Sequence, residues 1–247
     1  MTPTLVLAAD VEALAQAAAD RVGVLAQDAI AARGRFRIAL AGGSTPRALY
    51  ARLAARSDVD WTRTDIYFGD ERTVGPEDPQ SNFRMARETL LVPASVPPEN
   101  VRRLRGEDPD LDAAARAYEV ALGDAPLDLA LLGMGADGHT ASLFPGTTAL
   151  DVSDRKCVAV DVPAMSTRRL TLTYPVLMAA RDVLFLIAGA DKATTLHEVL
   201  NGPAEPRRLP SQVLLRRAQP RPALLFCDRA AAARLTTTNG NGHGEGK

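Results

Sequence analysis

His139 is the candidate general base of this chain. The 247 residues contain three histidines, of which His243 lies in a polar terminal segment and His197 lies inside a predicted helix. His139 instead follows Asp137 by two residues in the glycine-rich run GMGADGH. An imidazole exchanges protons readily near neutral pH, and a neighbouring carboxylate can orient it. These residue types indicate proton transfer at His139, with Asp137 as its partner.

A second run, GGSTP at residues 42–46, has the composition of an anion-binding turn. It follows the apolar run FRIAL and precedes a helical pattern, so Gly43, Ser44 and Thr45 are expected at a helix N-terminus, where backbone N–H groups bind phosphate. We expect Thr45 to cap this helix and Pro46 to take its first position. The spacing is not that of a P-loop, so a nucleotide is not implied. An ordinary capped helix is the alternative.

Further charged residues follow or precede other β-rich runs. Asp70 and Arg72 come directly after TDIYF, which we predict to be a central strand, and Lys192 comes after DVLFLIA. Either Arg168 or Arg169, just before LTLT, is expected to point into the same cleft, and the residues alone do not choose between them. Ligands of open α/β sheets bind beyond the carboxyl ends of the strands, which makes these side chains candidates for holding an anion. Exposed turns are the alternative.

Ser81 and Asn82, which follow the charged residues 70–72 in the sequence, begin a helical pattern, and we expect both to serve in capping. Cys157 and Cys227 lack C-x-x-C spacing, and the Asp-x-His pair is isolated from other ligand types. We therefore expect buried thiols, no metal and no cofactor. The glycines of residues 133–138 match G-x-G-x-x-G, but their mid-chain position argues against a dinucleotide site.

The elements that must position these residues alternate between short β-rich runs and helical patterns. The clearest helix follows Asp10 and ends near Gly34, and others follow Pro109 and begin near Asp191. This rhythm predicts an α/β fold with a mostly parallel sheet flanked by helices on both faces, in a single domain over residues 1–235. Residues 236–247 are polar and rich in glycine, so we expect a disordered tail.

Charge and hydropathy limit the partners. The 29 Lys and Arg nearly cancel the 30 Asp and Glu, so no basic field points to nucleic acid. Apolar runs are far shorter than the roughly 20 residues of a membrane helix, and the N-terminus does not resemble a secretory signal. We expect a monomer in the cytoplasm that takes a small anionic substrate, with no nucleic acid and no membrane as partner.

Four blocks, in order, resemble the 6-phosphogluconolactonase family in its bacterial form. They are LAGGSTPRALYARL at 40–53, GDER with SNFRMA at 69–86, LLGMGADGHTASLFPG at 131–146, and RRLTLTYPVLMAARDVLFLIAGADKA at 168–193. The related glucosamine-6-phosphate deaminases share the glycine turn and the Asp-Gly-His core but continue towards a Phe-Asn-Glu-Pro segment. This chain has Leu143, Phe144 and Pro145 there, with no carboxylate, which favours the lactonase.

The resemblance implies metal-free hydrolysis of 6-phospho-D-glucono-1,5-lactone to 6-phospho-D-gluconate in the oxidative pentose phosphate pathway. It assigns His139, Asp137 and Asp70 to the lactone end. It assigns to the phosphate end Gly43, Ser44, Thr45, Arg72, Arg169 and Lys192. The segment PAMSTRR at residues 163–169, which ends with Arg169, is less proline-rich than the family pattern. The loop that positions this arginine is therefore expected to differ.

Two other functions stay open at this point. An amino-sugar-phosphate deaminase or isomerase would need a glutamate where Leu143 and Phe144 stand. A non-catalytic sugar-phosphate-binding effector domain would need a DNA-binding module, and we expect none.

Overall fold

The computed structural model describes residues 2–235, and the predicted tail at 236–247 lies outside the described residues. The strands are β1 (Thr4–Ala8), β2 (Phe36–Leu40), β3 (Thr64–Phe68), β4 (Asp70–Arg72), β5 (Leu129–Leu132), β6 (Cys157–Val162), β7 (Thr167–Leu172), β8 (Asp182–Ile187) and β9 (Leu224–Asp228). The α-helices are α1 (Val11–Arg33), α2 (Ser44–Ala54), α3 (Asn82–Ala86), α4 (Leu111–Leu122), α5 (Tyr174–Ala179), α6 (Ala193–Asn201) and α7 (Ser211–Leu215).

Six of the strands form one parallel sheet in the order β1-β9-β8-β5-β2-β3. Every residue of β5 and of β8 is buried, which requires that both faces of the sheet be covered. Helix α1 packs on α2 and also contacts β1, β2 and β9. The predicted α/β fold, with a mostly parallel sheet in a single domain, is confirmed.

The position predicted for the TDIYF strand is wrong. Strand β3 lies at the edge of the parallel sheet and not at its centre. It has the burial of a central strand because other segments cover it: the Tyr118 hydroxyl of α4 donates to the Phe68 carbonyl and accepts from the Phe68 amide, at 3.0 and 2.7 Å. On its outer edge, Ile66 forms an isolated parallel bridge with Val101.

A second, three-stranded antiparallel sheet in the order β4-β7-β6 was not expected from the sequence. The predicted strand LTLT belongs to this sheet, within β7, and pairs with β4 and β6. The three-residue strand β4 follows β3 after Gly69, so the small sheet continues from the carboxyl edge of the large one. Its register places Arg72 opposite Arg169. Two predicted site residues are thereby brought together.

The first helix has the predicted ends. The Asp10 carboxylate accepts a hydrogen bond from the Ala13 amide at 2.9 Å, and Gly34 ends the helix in the left-handed conformation, with φ of 81°. Both cysteines are buried as free thiols. Within residues 2–235, no helix is long and apolar enough to cross a membrane.

Candidate active site

A cleft of about 200 Å³ opens beyond the carboxyl ends of β2, β3 and β5. It lies where ligands bind in open α/β sheets. Its lining within the described part of the chain consists of Ala41, Gly42, Gly43, Gly69, Asp70, Arg72, Leu131, Leu132, Gly133, Met134, Gly135, His139, Ala141 and Arg169. Five of the predicted site residues line this one cleft: Gly43, Asp70, Arg72, His139 and Arg169.

The loop after β5 presents His139 and Asp137 as a hydrogen-bonded pair. The Nδ1 atom of His139 lies 2.6 Å from Oδ1 of Asp137, which also accepts from the His139 amide at 3.1 Å. Because an ionised carboxylate can only accept, Nδ1 is the donor in this bond, and Nε2 is the ring nitrogen left to face a reacting molecule. Burial raises the pKa of Asp137, but the hydrogen bond and charge of His139 outweigh it, so this pKa lies below its usual value. Asp137 therefore stays ionised and orients the base.

An aromatic ring packs against the base. The rings of Phe144 and His139 are stacked, with centroids 4.1 Å apart and planes inclined by 26°. The guanidinium carbon of Arg169 lies 5.5 Å from the centroid of the same Phe144 ring. Phe144 is buried, so it contacts His139 and Arg169 from within the protein.

Helix α2 points its N-terminus at the cleft, as predicted for the GGSTP run, but its cap differs from the expectation. Gly43 is the N-cap, in a conformation with φ of 106° that residues with a side chain rarely adopt, so the helix starts one residue before Thr45. Ser44 and Thr45 occupy its first two positions, and Pro46 the third, where its missing N–H costs no helix bond. No side chain of the described residues caps this terminus, which leaves its N–H groups for an anion.

The charged run 70–72 is a strand and not a solvated turn. Alternation along β4 turns Asp70 and Arg72 to the cleft and Glu71 away from it. Glu71 is buried and accepts from the amides of Arg72, Asn82 and Phe83, each at 2.8 Å. Burial raises its pKa, and these hydrogen bonds oppose the increase. Glu71 thus fastens the start of α3 to β4.

Both oxygens of the buried Asp70 carboxylate are held by neutral donors. Its Oδ2 accepts from the Ser142 hydroxyl at 2.6 Å, and its Oδ1 from the Asn82 amide group at 3.1 Å. Ser142 belongs to the loop that carries His139, so Asp70 is connected to the base through that loop. The Asn82 side chain also fills the space next to Gly42, where a Cβ atom would lie 2.1 Å from the Asn82 Oδ1.

Asn82 therefore has another role than the predicted capping. Ser81 is the N-cap of α3 and accepts from the Arg84 amide at 3.1 Å, as expected. Asn82 and Ser142 are the positioning residues that the sequence did not reveal. A buried amide and a buried hydroxyl that contact a carboxylate distant in the chain leave no local pattern.

Strand alternation on β7 decides between the two arginines. Arg169 lines the cleft, whereas Arg168 lies on the other side of the strand, 3.2 Å from the Asp161 carboxylate. Burial lowers the pKa of Arg169, and the charge of Asp70 opposes this. Among residues 2–235, neither Arg72 nor Arg169 has a carboxylate within 4.0 Å. The cleft lining carries two guanidinium groups and one carboxylate.

Lys192 is not part of the cleft lining in the described structure. It ends a short turn after β8, at the same edge of the sheet, and its Nζ atom lies 2.9 Å from the Asp191 carboxylate. Its predicted contact with the substrate requires that this surface ion pair open. Elsewhere in residues 2–235, no three His, Cys, Asp or Glu side chains are placed to hold a metal ion.

The comparisons with known proteins show the family of the chain. Residues 9–222 match the model of the family described as glucosamine-6-phosphate isomerases/6-phosphogluconolactonase. The chain belongs to this family.

Relatives and solved structures of the family cover the whole fold. A 6-phosphogluconolactonase of Nostoc sp. is 39% identical over 96% of this chain and 100% of its own length. One of Synechocystis sp. is 42% identical over 75% of this chain and 80% of its own. The crystal structure of a 6-phosphogluconolactonase from Shewanella baltica superposes with a TM-score of 0.85, at 28% identity, over 92% of this chain and 97% of that one.

Proposed function

We propose that the chain hydrolyses 6-phospho-D-glucono-1,5-lactone to 6-phospho-D-gluconate in the oxidative pentose phosphate pathway. One observation carries the proposal: the oriented imidazole of His139 lies in the same cleft as two guanidinium groups and a helix N-terminus. Within residues 2–235, the guanidinium groups have no carboxylate partner and the helix has no side-chain cap. A base at one end and an anion site at the other match a phosphorylated ester. The relatives named above support the same reaction.

His139 acts as the base. Its Nε2 accepts a proton from a water molecule as the water oxygen attacks C1 of the lactone. The C1–O bond of the ring then breaks, and the imidazolium returns the proton to the departing ring oxygen, which becomes a hydroxyl group. The product is a carboxylic acid, which ionises. Asp137 stabilises the imidazolium between the two steps through the 2.6 Å hydrogen bond.

Arg72, Arg169 and the start of α2 hold the phosphate. Guanidinium groups bind phosphate through paired N–H donors, and Nε of Arg72 is buried without a partner among the described residues. The N–H groups at Gly43, Ser44 and Thr45 add the positive end of the helix dipole. Lys192 contributes a weaker, outer contact. Asp70 accepts hydrogen bonds from the sugar ring with the lone pairs that Asn82 and Ser142 leave unused.

The reaction is tested with freshly generated 6-phosphogluconolactone at slightly acidic pH, where spontaneous hydrolysis is slow. We expect product to form in proportion to the protein added, and the His139→Ala variant to leave only the spontaneous rate. A wild-type chain that does not exceed the spontaneous rate would overturn the proposed function.

Two further substrates separate this activity from its neighbours. Unphosphorylated gluconolactone tests the anion site, and we expect a kcat/KM about ten- to a hundredfold or more lower, since charge-assisted contacts are lost. Equal turnover of both lactones would contradict phosphate binding by Arg72 and Arg169. Glucosamine 6-phosphate tests the sibling reaction of the family, and we expect no ammonia release.

The remaining sequence predictions concern assembly and location. We propose that residues 1–235 form the catalytic domain, supported by the family match over residues 9–222, and that the chain acts as a monomer. Sedimentation equilibrium with activity measured across dilution tests the oligomeric state. Cell fractionation tests the proposed cytoplasmic location.

A further inference from the structure

Phe144 contacts the base and the phosphate-binding arginine at the same time. Its ring is stacked on the His139 imidazole at 4.1 Å, and the Arg169 guanidinium carbon lies 5.5 Å from its centroid. The ring is buried, and its backbone is fixed because the Phe144 carbonyl accepts from both the amide and the hydroxyl of Thr147, at 3.2 and 2.9 Å. A rigidly held ring therefore lies against two side chains that line the cleft.

The stack supplies a constraint on His139 that its hydrogen bond does not. The bond from Nδ1 to Asp137 fixes one edge of the imidazole, but the ring can still tilt about that bond. Contact with a flat, immobile surface fixes the plane of the ring as well. Nε2 then points in one direction, which an attacking water molecule requires.

The same ring holds Arg169 without consuming its hydrogen-bond donors. A carboxylate partner would pair with the guanidinium N–H groups and cancel their charge, whereas an aromatic face attracts the cation and leaves the N–H groups free. Among residues 2–235, the hydrogen bond that this guanidinium makes to another side chain is weak, with Nη2 3.4 Å from the Met165 sulfur. Phe144 thus accounts for how a buried arginine is ordered while it stays available to a phosphate.

We propose that Phe144 is a positioning residue that sets the plane of His139 and the place of Arg169 together, and so fixes the separation between base and phosphate site. The proposal rests on the proposed function for its kinetic consequences. Phe144 contacts His139 and Arg169 whichever substrate the chain turns over.

The kinetic test compares Phe144→Met, which keeps apolar volume but removes the ring, with Phe144→Tyr, which keeps the ring. We expect Phe144→Met to lower kcat by about ten- to a hundredfold through His139 and to raise KM about three- to tenfold through Arg169. Phe144→Tyr should stay within about threefold of wild type. In an Arg169→Met background, Phe144→Met should raise KM no further, because the two changes act on one contact.

Phe83 provides a matched control. Its ring also has a guanidinium against it, with the Arg103 carbon 5.0 Å from the centroid, but Arg103, unlike Arg169, is not among the described residues that line the cleft. Phe83→Met should leave kcat and KM within about twofold of wild type. If Phe144→Met behaves like Phe83→Met, or if its effect on KM adds fully to that of Arg169→Met, the proposal is wrong.

A spectroscopic measurement separates failure of this proposal from failure of the proposed function. A proton above an aromatic face is shifted upfield, so the His139 ring protons, assigned by their loss in His139→Gln, should move downfield in Phe144→Met and stay in place in Phe83→Met. Unmoved His139 signals in a folded Phe144→Met protein overturn the positioning role whatever the activity. A wild-type chain without lactonase activity but with the expected shift overturns only the reaction.

Discussion

Buried carboxylates at the two ends of the parallel sheet are treated in opposite ways. At the amino end, Asp128 lies 2.8 Å from Arg33 and 3.4 Å from Arg181, and Asp182 lies 2.9 Å from Arg221. These carboxylates are compensated within the protein. Their ion pairs connect the starts of β5 and β8 to α1 and to the segment before β9, and so they serve the fold.

At the carboxyl end, the carboxylate and the cations are kept apart. Asp70 accepts from an amide and a hydroxyl, while Arg169 packs on an aromatic ring. An unpaired buried cation lowers the free energy of unfolding. Such a cation is typical of a functional site, where a bound ligand supplies the counter-ion. Substitutions at the two ends should therefore change different properties: activity at the carboxyl end and the free energy of unfolding at the amino end.

The largest effect is expected at His139. His139→Ala removes the base but not the anion site, so kcat should fall by about 10² to 10⁴-fold, with KM nearly unchanged. Steady-state kinetics above the spontaneous rate measure the loss, and His197→Ala is the control. If His139→Ala kept a near-normal kcat and His197→Ala abolished activity, the assignment of the base to His139 would be wrong.

Arg169 should give the next largest effect, and its neighbour is a matched control. Arg169→Met removes a charge-assisted contact to phosphate, which corresponds to a rise in KM of about ten- to a hundredfold. Arg168→Met, on the opposite side of β7, should leave KM unchanged. Equal KM values for the two variants would contradict an anion site built on strand alternation.

Asp128 tests the other end of the sheet. Asp128→Asn weakens ion pairs to partly exposed arginines, so after solvent screening the free energy of unfolding should fall by about 1–2 kcal/mol, with kcat and KM unchanged. Asp70→Asn is the counterpart and should lower kcat/KM with a smaller change in stability. Urea unfolding and steady-state kinetics are measured on both variants. A larger loss of stability in Asp70→Asn and a larger loss of kcat/KM in Asp128→Asn would contradict the different roles of the two ends.

Lys192 should give a small effect. Because its ammonium group lies against Asp191 and outside the cleft lining, Lys192→Ala should raise KM by only about threefold. A rise as large as that of Arg169→Met would show that the lysine moves into the cleft when substrate binds.

Chelation should have no effect. The proposed hydrolysis with His139 as base needs no metal, so exhaustive dialysis against EDTA should leave kcat unchanged. Loss of activity that zinc or magnesium restores would require a different mechanism.

The sequence was sufficient for features that depend on local patterns. Apolar periodicity and the Asp10 and Gly34 ends define α1, and β-rich runs define the strands of the parallel sheet. The cleft follows from strand direction, because the carboxyl ends of parallel strands lie at one edge. The Asp137–His139 hydrogen bond is also local, spanning two residues.

Features that depend on distant contacts were missed or misplaced. β3 resembles a central strand because α4 and Val101 cover it, and composition does not distinguish burial by strands from burial by other elements. The capping pattern at Ser81 and Asn82 conceals that Asn82 turns back to Asp70. The Phe144 stack depends on the conformation of the loop, in which Ala141 has a φ of 49°. Residue propensities do not predict a positive φ at an alanine.

The contact between Gly42 and Asn82 has an evolutionary consequence. A methyl group at residue 42 would occupy the place of the Asn82 side chain, so Gly42→Ala alone would displace Asn82 and leave Asp70 with the Ser142 hydroxyl but without its amide donor. A smaller residue at 82 would admit the methyl group but would leave Asp70 without its amide donor. The two positions are therefore epistatic, and a lineage can change either one only after another donor has taken over at Asp70.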